Sequence, residues 1–432
     1  MSSHLVAVAA AMGCNFIPFS PEFIAILPRL GIALLVSFWL WGRVDLWYQT
    51  KHGKAYKPYR VAANSRYGAN DVSIVVCTIG PVGNFEMCIR SWLSNKPLEL
   101  IFVTTKDKLN AISALIDEVK FRLPADQAKK ISLLAVKQAS KRVQLVDGIN
   151  AARGLIIATV DDHILWGEAL MPHMLAPFED IEVGAAGPGT DVYTDPARRY
   201  PGVVTAWETA ATRLAWKRKP TYKNMFAITG WCWILAGTTT FYRSAILKDA
   251  EFQHAHLNDY WFGHKLNASD DTFISRWLQI NNWKLAVQIM PQTEILRTVK
   301  RDSSFLTQLA RWERSTIQSF LRSLWEVPQI YRQWYVLYKT LERLTRPVFT
   351  AIHVAAWFLS FYYTPRLTTM LLLWYICSVA PSYAEFLGEY PWMCRHLWAL
   401  VLTDYYYAVY DWYTWGTLNN TQWGTRDIPG EE

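Results

Sequence analysis

The stretch LIIATVDDHILW, Leu155 to Trp166, decides how the chain is read. An apolar, β-branched run ends abruptly in Asp161, Asp162 and His163. Such a run reads as a buried strand, and carboxylates at a strand's end suit a divalent ion with a nucleotide's hydroxyls and phosphates. An imidazole beside them suits Mn²⁺ better than Mg²⁺. Taken alone, DDH is equally an ordinary polar turn.

Working outward, DVSIVVCTIG (Asp71–Gly80), ELIFVTTKD (Glu99–Asp107) and ISLLAVKQ (131–138) read as further strands. AISALIDEVKFRL (Ala111–Leu123) has helical periodicity. Strand and helix in alternation predict a parallel sheet with helices on both faces over about residues 70–315. In such sheets ligands sit at the carboxyl ends of the strands.

The flanks are different in kind. The chain has 432 residues, 51% hydrophobic and 19% charged, with 22 Trp, 22 Tyr and 19 Phe. That composition is a soluble domain averaged with membrane segments. Residues 21–42 read as a transmembrane helix, interrupted early by Pro28 and Arg29, and residues 1–20 as an apolar segment that is either another span or an interfacial piece. Arg43, Lys51, Lys54, Lys57 and Arg60 follow in a basic linker over 43–69, which places what comes next in the cytosol. Residues 347–365 and 367–387 form an expected membrane hairpin. Residues 316–345 and 396–415 are aromatic but charged; Asp404 and Asp411 would be costly inside a bilayer, so both stretches read as interfacial helices, with a cytosolic tail over 416–432. The net charge of +8 suits an anionic membrane surface or an anionic substrate, or merely cytosolic loops rich in Lys and Arg.

Three further motifs carry chemistry. In NASDDTFISRWL, Asp270 and Asp271 open a helical run. Acidic residues there are commonly dipole partners, but two adjacent carboxylates also raise each other's pKa and suit proton acceptance from a hydroxyl. In QLARWERS, Gln308, Arg311 and Trp312 lie at i, i+3 and i+4 and share one helix face. A guanidinium clamps a diphosphate, an indole packs on a sugar and an amide bonds its hydroxyls; a membrane-docking amphipathic helix is the plainer alternative. TQWGTRD (Thr421–Asp427) places Trp423 and Arg426 in a terminal tail, as a lid or simply a loose end.

Six cysteines, at 14, 77, 88, 232, 377 and 394, form no CxxC pair and read as buried thiols of a reducing compartment. His254, His256 and His264 match no standard zinc spacing. Asn267 and Asn419 lie in sequons on the expected cytosolic side, which argues against glycosylation.

In this order, DDH, an acidic pair, QxxRW and then membrane segments, the chain resembles membrane-bound family 2 glycosyltransferases. It is similar to hyaluronan, chitin and cellulose synthases, and most like the fungal type 2 glycosyltransferases of capsule or cell-wall polysaccharide. The resemblance implies an α/β GT-A (Rossmann-like) cytosolic domain with transmembrane and interfacial helices. It implies an inverting, UDP-sugar-dependent hexosyltransferase at the plasma membrane that extends a polysaccharide processively with Mn²⁺ or Mg²⁺.

It also implies roles. Asp271, with Asp270, would be the general base. Thr78, Thr105, Lys141, Asp161, Asp162, Arg311, Trp423 and Arg426 would bind the donor, with Thr105 standing where an acidic residue is usual. Asp161 and His163 would take the metal, His163 replacing the usual Asp. Gln308, Trp312, Trp231 and Trp233 would face the acceptor, although GWCWILAGTTTFYR (Gly230–Arg243) also reads as an aromatic core strand. Expected partners are the donor, a glycan acceptor and membrane lipids, not nucleic acid. With few spans, oligomerisation would be the route to a complete channel. A non-processive transferase and a catalytically inactive scaffold are the rival readings.

Overall fold

A computed structural model describes residues 21–81, 83–137 and 140–421. The segment 1–20, Trp423 and Arg426 lie outside the described residues, as does Cys14. The chain divides into two units, residues 47–347 with 383–432, and residues 1–46 with 348–382.

The larger unit is built on seven strands: β1 (Val72–Cys77), β2 (Glu99–Thr105), β3 (Ile131–Val136), β4 (Ile156–Val160), β5 (Val183–Pro188), β6 (Thr239–Arg243) and β7 (Lys284–Gln288). Their order is β7-β5-β6-β4-β1-β2-β3. Every residue of β1 and β2 is buried, as expected of strands covered on both faces. The sheet is parallel except at β6, which runs antiparallel to both β4 and β5. A parallel sheet was the expectation; β6, between β4 and β5, is the one strand of the seven that departs from it.

The helices that matter for the site are α1 (Pro21–Gly53), α2 (Phe85–Leu93), α3 (Leu109–Phe121), α4 (Lys141–Ala151), α5 (Ala206–Thr229), α6 (Asp270–Ile280), α7 (Ser304–Glu326), α8 (Trp334–Tyr363), α9 (Pro365–Glu389), α10 (Leu397–Tyr405) and α11 (Tyr407–Gly416). Trp92 on α2 and Ile112 and Ile116 on α3 cover one face of the sheet, in a core with Ile74, Phe102 and Phe241. Leu145 and Ile149 on α4 and Phe273, Ile274 and Leu278 on α6 cover the other. Gly148 lets α4 lie directly on the sheet: a Cβ there would stand 2.5 Å from Val75 Cγ1. That close seat carries the first residue of α4, Lys141, to the strand ends.

A small sheet extends this edge. Ile295–Arg297 pairs with Ile164–Leu165 on one side and Thr190–Val192 on the other. It ties the turn after Asp161–His163 to the segment leading into α7.

The α10–α11 pair belongs to the larger unit and docks through charges. Asp404 takes Arg213 Nη2 at 2.7 Å and Lys217 Nζ at 3.2 Å. Asp411, side chain 1% exposed, takes Arg343 at 2.9 Å and Arg346 at 2.6 Å. Leu397, Trp398, Leu402, Val409 and Trp412 remain exposed. Residues 316–345 comprise the end of α7, a 3-10 turn over Pro328–Arg332 and the start of α8.

Among the described residues, three helices are long and apolar enough to cross a membrane: Arg29–Gly53, Trp334–Tyr363 and Pro365–Glu389. Pro28 does not break α1, which is continuous from Pro21. Within the smaller unit the helices touch through Trp39 and Trp374, rings 4.0 Å apart, and through Arg43 Nη2, which donates to the Ser378 carbonyl at 2.7 Å. Cys77, Cys88 and Cys232 are buried free thiols, as expected; Cys377 and Cys394 are free but exposed, because each lies on a helix surface with no protein layer over it.

Candidate active site

The ends of β1 and β4 meet at Thr78, whose hydroxyl donates to Asp162 Oδ2 at 2.5 Å. The two strands are paired in parallel register, so residues just past each end are neighbours. Beside them, Lys141 Nζ lies 3.1 Å from Asp161 Oδ1 and 3.2 Å from Asp270 Oδ2. One ammonium thus joins the strand-end motif to the acidic pair, across 129 residues of sequence between Lys141 and Asp270. His163 Nδ1 stands 3.4 Å from Asp162 Oδ1.

A second link runs through the backbone. The Asp161 N–H donates to the Thr238 carbonyl at 3.0 Å, and the Gly237 N–H donates to Asp271 Oδ2 at 3.0 Å. The loop Gly230–Thr238 is pinned to α6 by Ser275 Oγ, which accepts from the Leu235 N–H, and by Gln279, which donates to the carbonyls of Cys232 and Trp233. A Cβ on residue 237 would sit 3.3 Å from both Cβ and Oδ2 of Asp271. Glycine is therefore what allows the amide to approach the carboxylate so closely.

The acidic pair is electrostatically split. Burial opposes ionisation of Asp270, but Lys141 holds its carboxyl below the usual range. Burial and then the charge of Asp270 push Asp271 up, although Lys141 and the Gly237 and Thr272 N–H groups counter part of the rise. A carboxylate with an elevated pKa, beside one kept ionised, is suited to accept a proton near neutral pH. Ser269 precedes the pair with φ +69, left-handed for a residue with a Cβ. Its hydroxyl bonds that of Ser315 on α7, which donates in turn to the Arg311 carbonyl at 2.9 Å.

Gln308, Arg311 and Trp312 share the partly exposed face of α7. The guanidinium of Arg297 lies 5.2 Å and that of Arg218 5.7 Å from the Trp312 ring centroid. The next residue, Glu313, is buried and bonds Arg218, Arg343 and Tyr406. Tyr222, one turn along α5 from Arg218, lies close enough for Asp271 and Glu313 to raise its pKa; burial is the largest cause and takes it to about 12.

The structure therefore gathers Thr78, Lys141, Asp161, Asp162, His163, Asp270 and Asp271 at one end of the sheet. Thr105 ends β2, buried, and donates to the exposed Asp107, whose carboxyl that bond lowers. Trp231 and Trp233 pack elsewhere: Trp233 Nε1 donates to Thr340 Oγ1 at 3.0 Å, and Trp231 joins a cluster with Met225, Tyr335 and Val336. His256 is buried between rings, pushed down to about 3 by burial, and is neutral.

Sequence reasoning missed Gly237, Ser269, Arg218, Arg297 and Glu313. Only Glu313 carried a local signal, a charge next to the QxxRW motif. The others act through contacts with residues distant in the chain.

A mostly parallel α/β sheet with acidic side chains gathered at its strand ends is the frame of the site. The chain belongs to glycosyltransferase family 2: the model for "Glycosyltransferase like family 2" matches residues 69–315. It is 32% identical over 400 residues to an NDP-glycosyltransferase of Aspergillus luteorubrus, covering 91% of this chain and 97% of that one. It is 29% identical to a type 2 glycosyltransferase of Zymoseptoria tritici, covering 86% of this chain and 79% of that one. Among solved structures it is similar to a mannosyltransferase from Pyrobaculum calidifontis in complex with GDP-Man and Mn²⁺, with TM-score 0.57, 14% identity, and 89% and 99% of the two chains covered. That likeness shows a shared GT-A-like fold.

Proposed function

We propose that this glycosyltransferase moves a sugar from a UDP-sugar to a growing cell-surface or cell-wall polysaccharide at the membrane, processively and with inversion. The observation that carries the reading is the split pair: Asp271 raised and steered by the Gly237 N–H, Asp270 kept ionised by Lys141. The acceptor hydroxyl attacks the anomeric carbon from the face opposite the diphosphate. The new C–O bond forms as the C–O bond to phosphate breaks, and the hydroxyl proton passes to Asp271.

Thr78 and Thr105 line the nucleoside end, Lys141, Asp161 and Asp162 the phosphate end, and Arg311 clamps the diphosphate. Gln308 and Trp312 receive the acceptor sugar. Among the described residues no three His, Cys, Asp or Glu side chains form a metal cage. The donor set of Asp161 and His163 fits an ion that shares phosphate oxygens with the protein, Mn²⁺ before Mg²⁺. Bound there, it would supply positive charge to the departing diphosphate.

The three candidate spans support action at a membrane, as does the exposed apolar face of α10 and α11, suited to a lipid surface. The basic residues Arg43, Lys51, Lys54, Lys57 and Arg60 support a cytosolic catalytic unit. The testing experiment is UDP release from purified, detergent-solubilised protein over a panel of UDP-sugars with Mn²⁺ or Mg²⁺, with Asp271→Asn as control and the product sized. Release with one sugar, lost in the variant, with a long product, is the expected result. A short product replaces the polysaccharide reading with a decorating transferase, and no release with any donor overturns the reading.

A further inference from the structure

Arg297 lies on the strand Ile295–Arg297, directly opposite Ile164 in the register, and the N–H of Thr298 donates to the His163 carbonyl at 3.3 Å. Its backbone is thus tied to the turn carrying Asp161, Asp162 and His163. Its guanidinium stands 5.2 Å from the Trp312 ring, on the helix face that also carries Arg311. One side chain therefore spans the gap between the strand-end motif and the QxxRW helix.

That guanidinium has no counter-charge of its own. Among the described residues no carboxylate lies within ion-pair distance of it, and its Nε is buried without a hydrogen-bond partner. Arg218, a second cation, approaches the same indole at 5.7 Å. Burial, then the charge of Arg218, push the Arg297 guanidinium down to about 10, and Asp191 counters only in part. Asp191 is already engaged by Lys219 at 3.4 Å and by the Tyr390 hydroxyl at 3.0 Å. Glu313, which pairs with Arg218, is shared with Arg343 and Tyr406. A buried charge without a partner is costly. Arg218 is held by Glu313, but Arg297 at the same indole, with Asp191 engaged by Lys219 and Tyr390, is arranged for an anion that arrives with a ligand. The planar fork of Arg fits phosphate oxygens.

We propose that Arg297, assisted by Arg218, binds the diphosphate of the nucleotide donor and carries part of the negative charge that develops as it leaves; this rests on the nucleotide-sugar reading above.

The test is calorimetric binding of UDP and GDP to the full-length protein in detergent, in EDTA and in Mn²⁺, for wild type, Arg297→Met and Arg297→Lys. Thermal midpoints control for folding, and donor KM and kcat are measured alongside. The expected result is that Arg297→Met weakens nucleoside diphosphate binding roughly ten- to a hundredfold, in EDTA as well as in Mn²⁺, and that Arg297→Lys recovers part of it. A folded Arg297→Met protein with wild-type affinity overturns the proposal, including the case in which only acceptor KM rises. Should that variant not fold, Arg218→Met carries the same test with a smaller expected loss. Wild type that binds neither UDP nor GDP defeats the nucleotide-sugar reading itself, and this inference with it.

Discussion

Asp270 and Asp271 are adjacent in the chain and shifted in opposite directions: Lys141 holds the first carboxyl down against the cost of burial, while burial and its neighbour's charge push the second up. The base works only when deprotonated, so activity should fall as pH drops through the Asp271 pKa. Asp271→Asn should cost on the order of 10²–10⁴ in turnover. Asp270→Asn removes the charge that raises Asp271, so the acid limb of the pH–rate profile should move to lower pH. A limb that stays in place, or moves up, would show that Asp271 is not the titrating base.

Gly237→Ala tests the amide that steers this carboxylate. The added Cβ would meet Asp271 at 3.3 Å, closer than most such contacts, so the carboxyl must rotate or shift. Turnover should drop about tenfold or more from lost alignment, with little change in the thermal midpoint. Equal turnover would mean that the base needs no help from the loop.

Ser269 pairs strain with a tether. Ser269→Gly should relieve about 1 kcal/mol of left-handed backbone cost and lose about 1 kcal/mol of buried hydrogen bond to Ser315, leaving stability nearly unchanged. Ser269→Ala keeps the strain and loses the bond, and should be less stable by about 1 kcal/mol. Both should lose activity if the tether sets the distance between Asp271 and Arg311. Thermal unfolding and turnover of the two variants, side by side, decide it.

Asp404 anchors α10 to Arg213, whose side chain is 1% exposed. Burial opposes the charge on Asp404, but the bond from Arg213 and the charge of Lys217 hold its carboxyl below the usual range. Its contribution to stability is therefore present above the unfolded carboxylate pKa and lost as pH falls through the lower folded value. Asp404→Asn should cost about 3 kcal/mol at neutral pH by leaving Arg213 unpaired, and should flatten the acid side of the stability curve. A variant as stable as wild type would mean that α10 is held by its apolar contacts alone.

His163→Asp exchanges a neutral imidazole for a carboxylate beside Asp162. If an ion is held here with the donor phosphates, the ratio of Mg²⁺- to Mn²⁺-supported turnover should rise severalfold, and EDTA should abolish turnover in both proteins. A ratio that does not change would place the ion, if any, elsewhere.

Much of this was legible in sequence, for local reasons. The runs Val72–Cys77 and Glu99–Thr105 are strands because continuous β-branched and apolar residues suit a sheet covered on both faces. The face shared by Gln308, Arg311 and Trp312 follows from the helical repeat alone. What escaped was pairing across the chain. Asp404 and Asp411 argued against membrane spans by their charge, but Arg213, Lys217, Arg343 and Arg346 as their partners could not be read from spacing.

The sequence by itself determined the alternating elements, the order of the motifs and the three apolar helices, because each is written in neighbours a few residues apart. Only the tertiary structure decided that Lys141 bridges Asp161 to Asp270, that Gly237 aims at Asp271, and that Arg297 and Arg218 meet at Trp312. Charge interactions depend on distance and on what excludes water, and both are fixed only when segments far apart in the chain fold against one another.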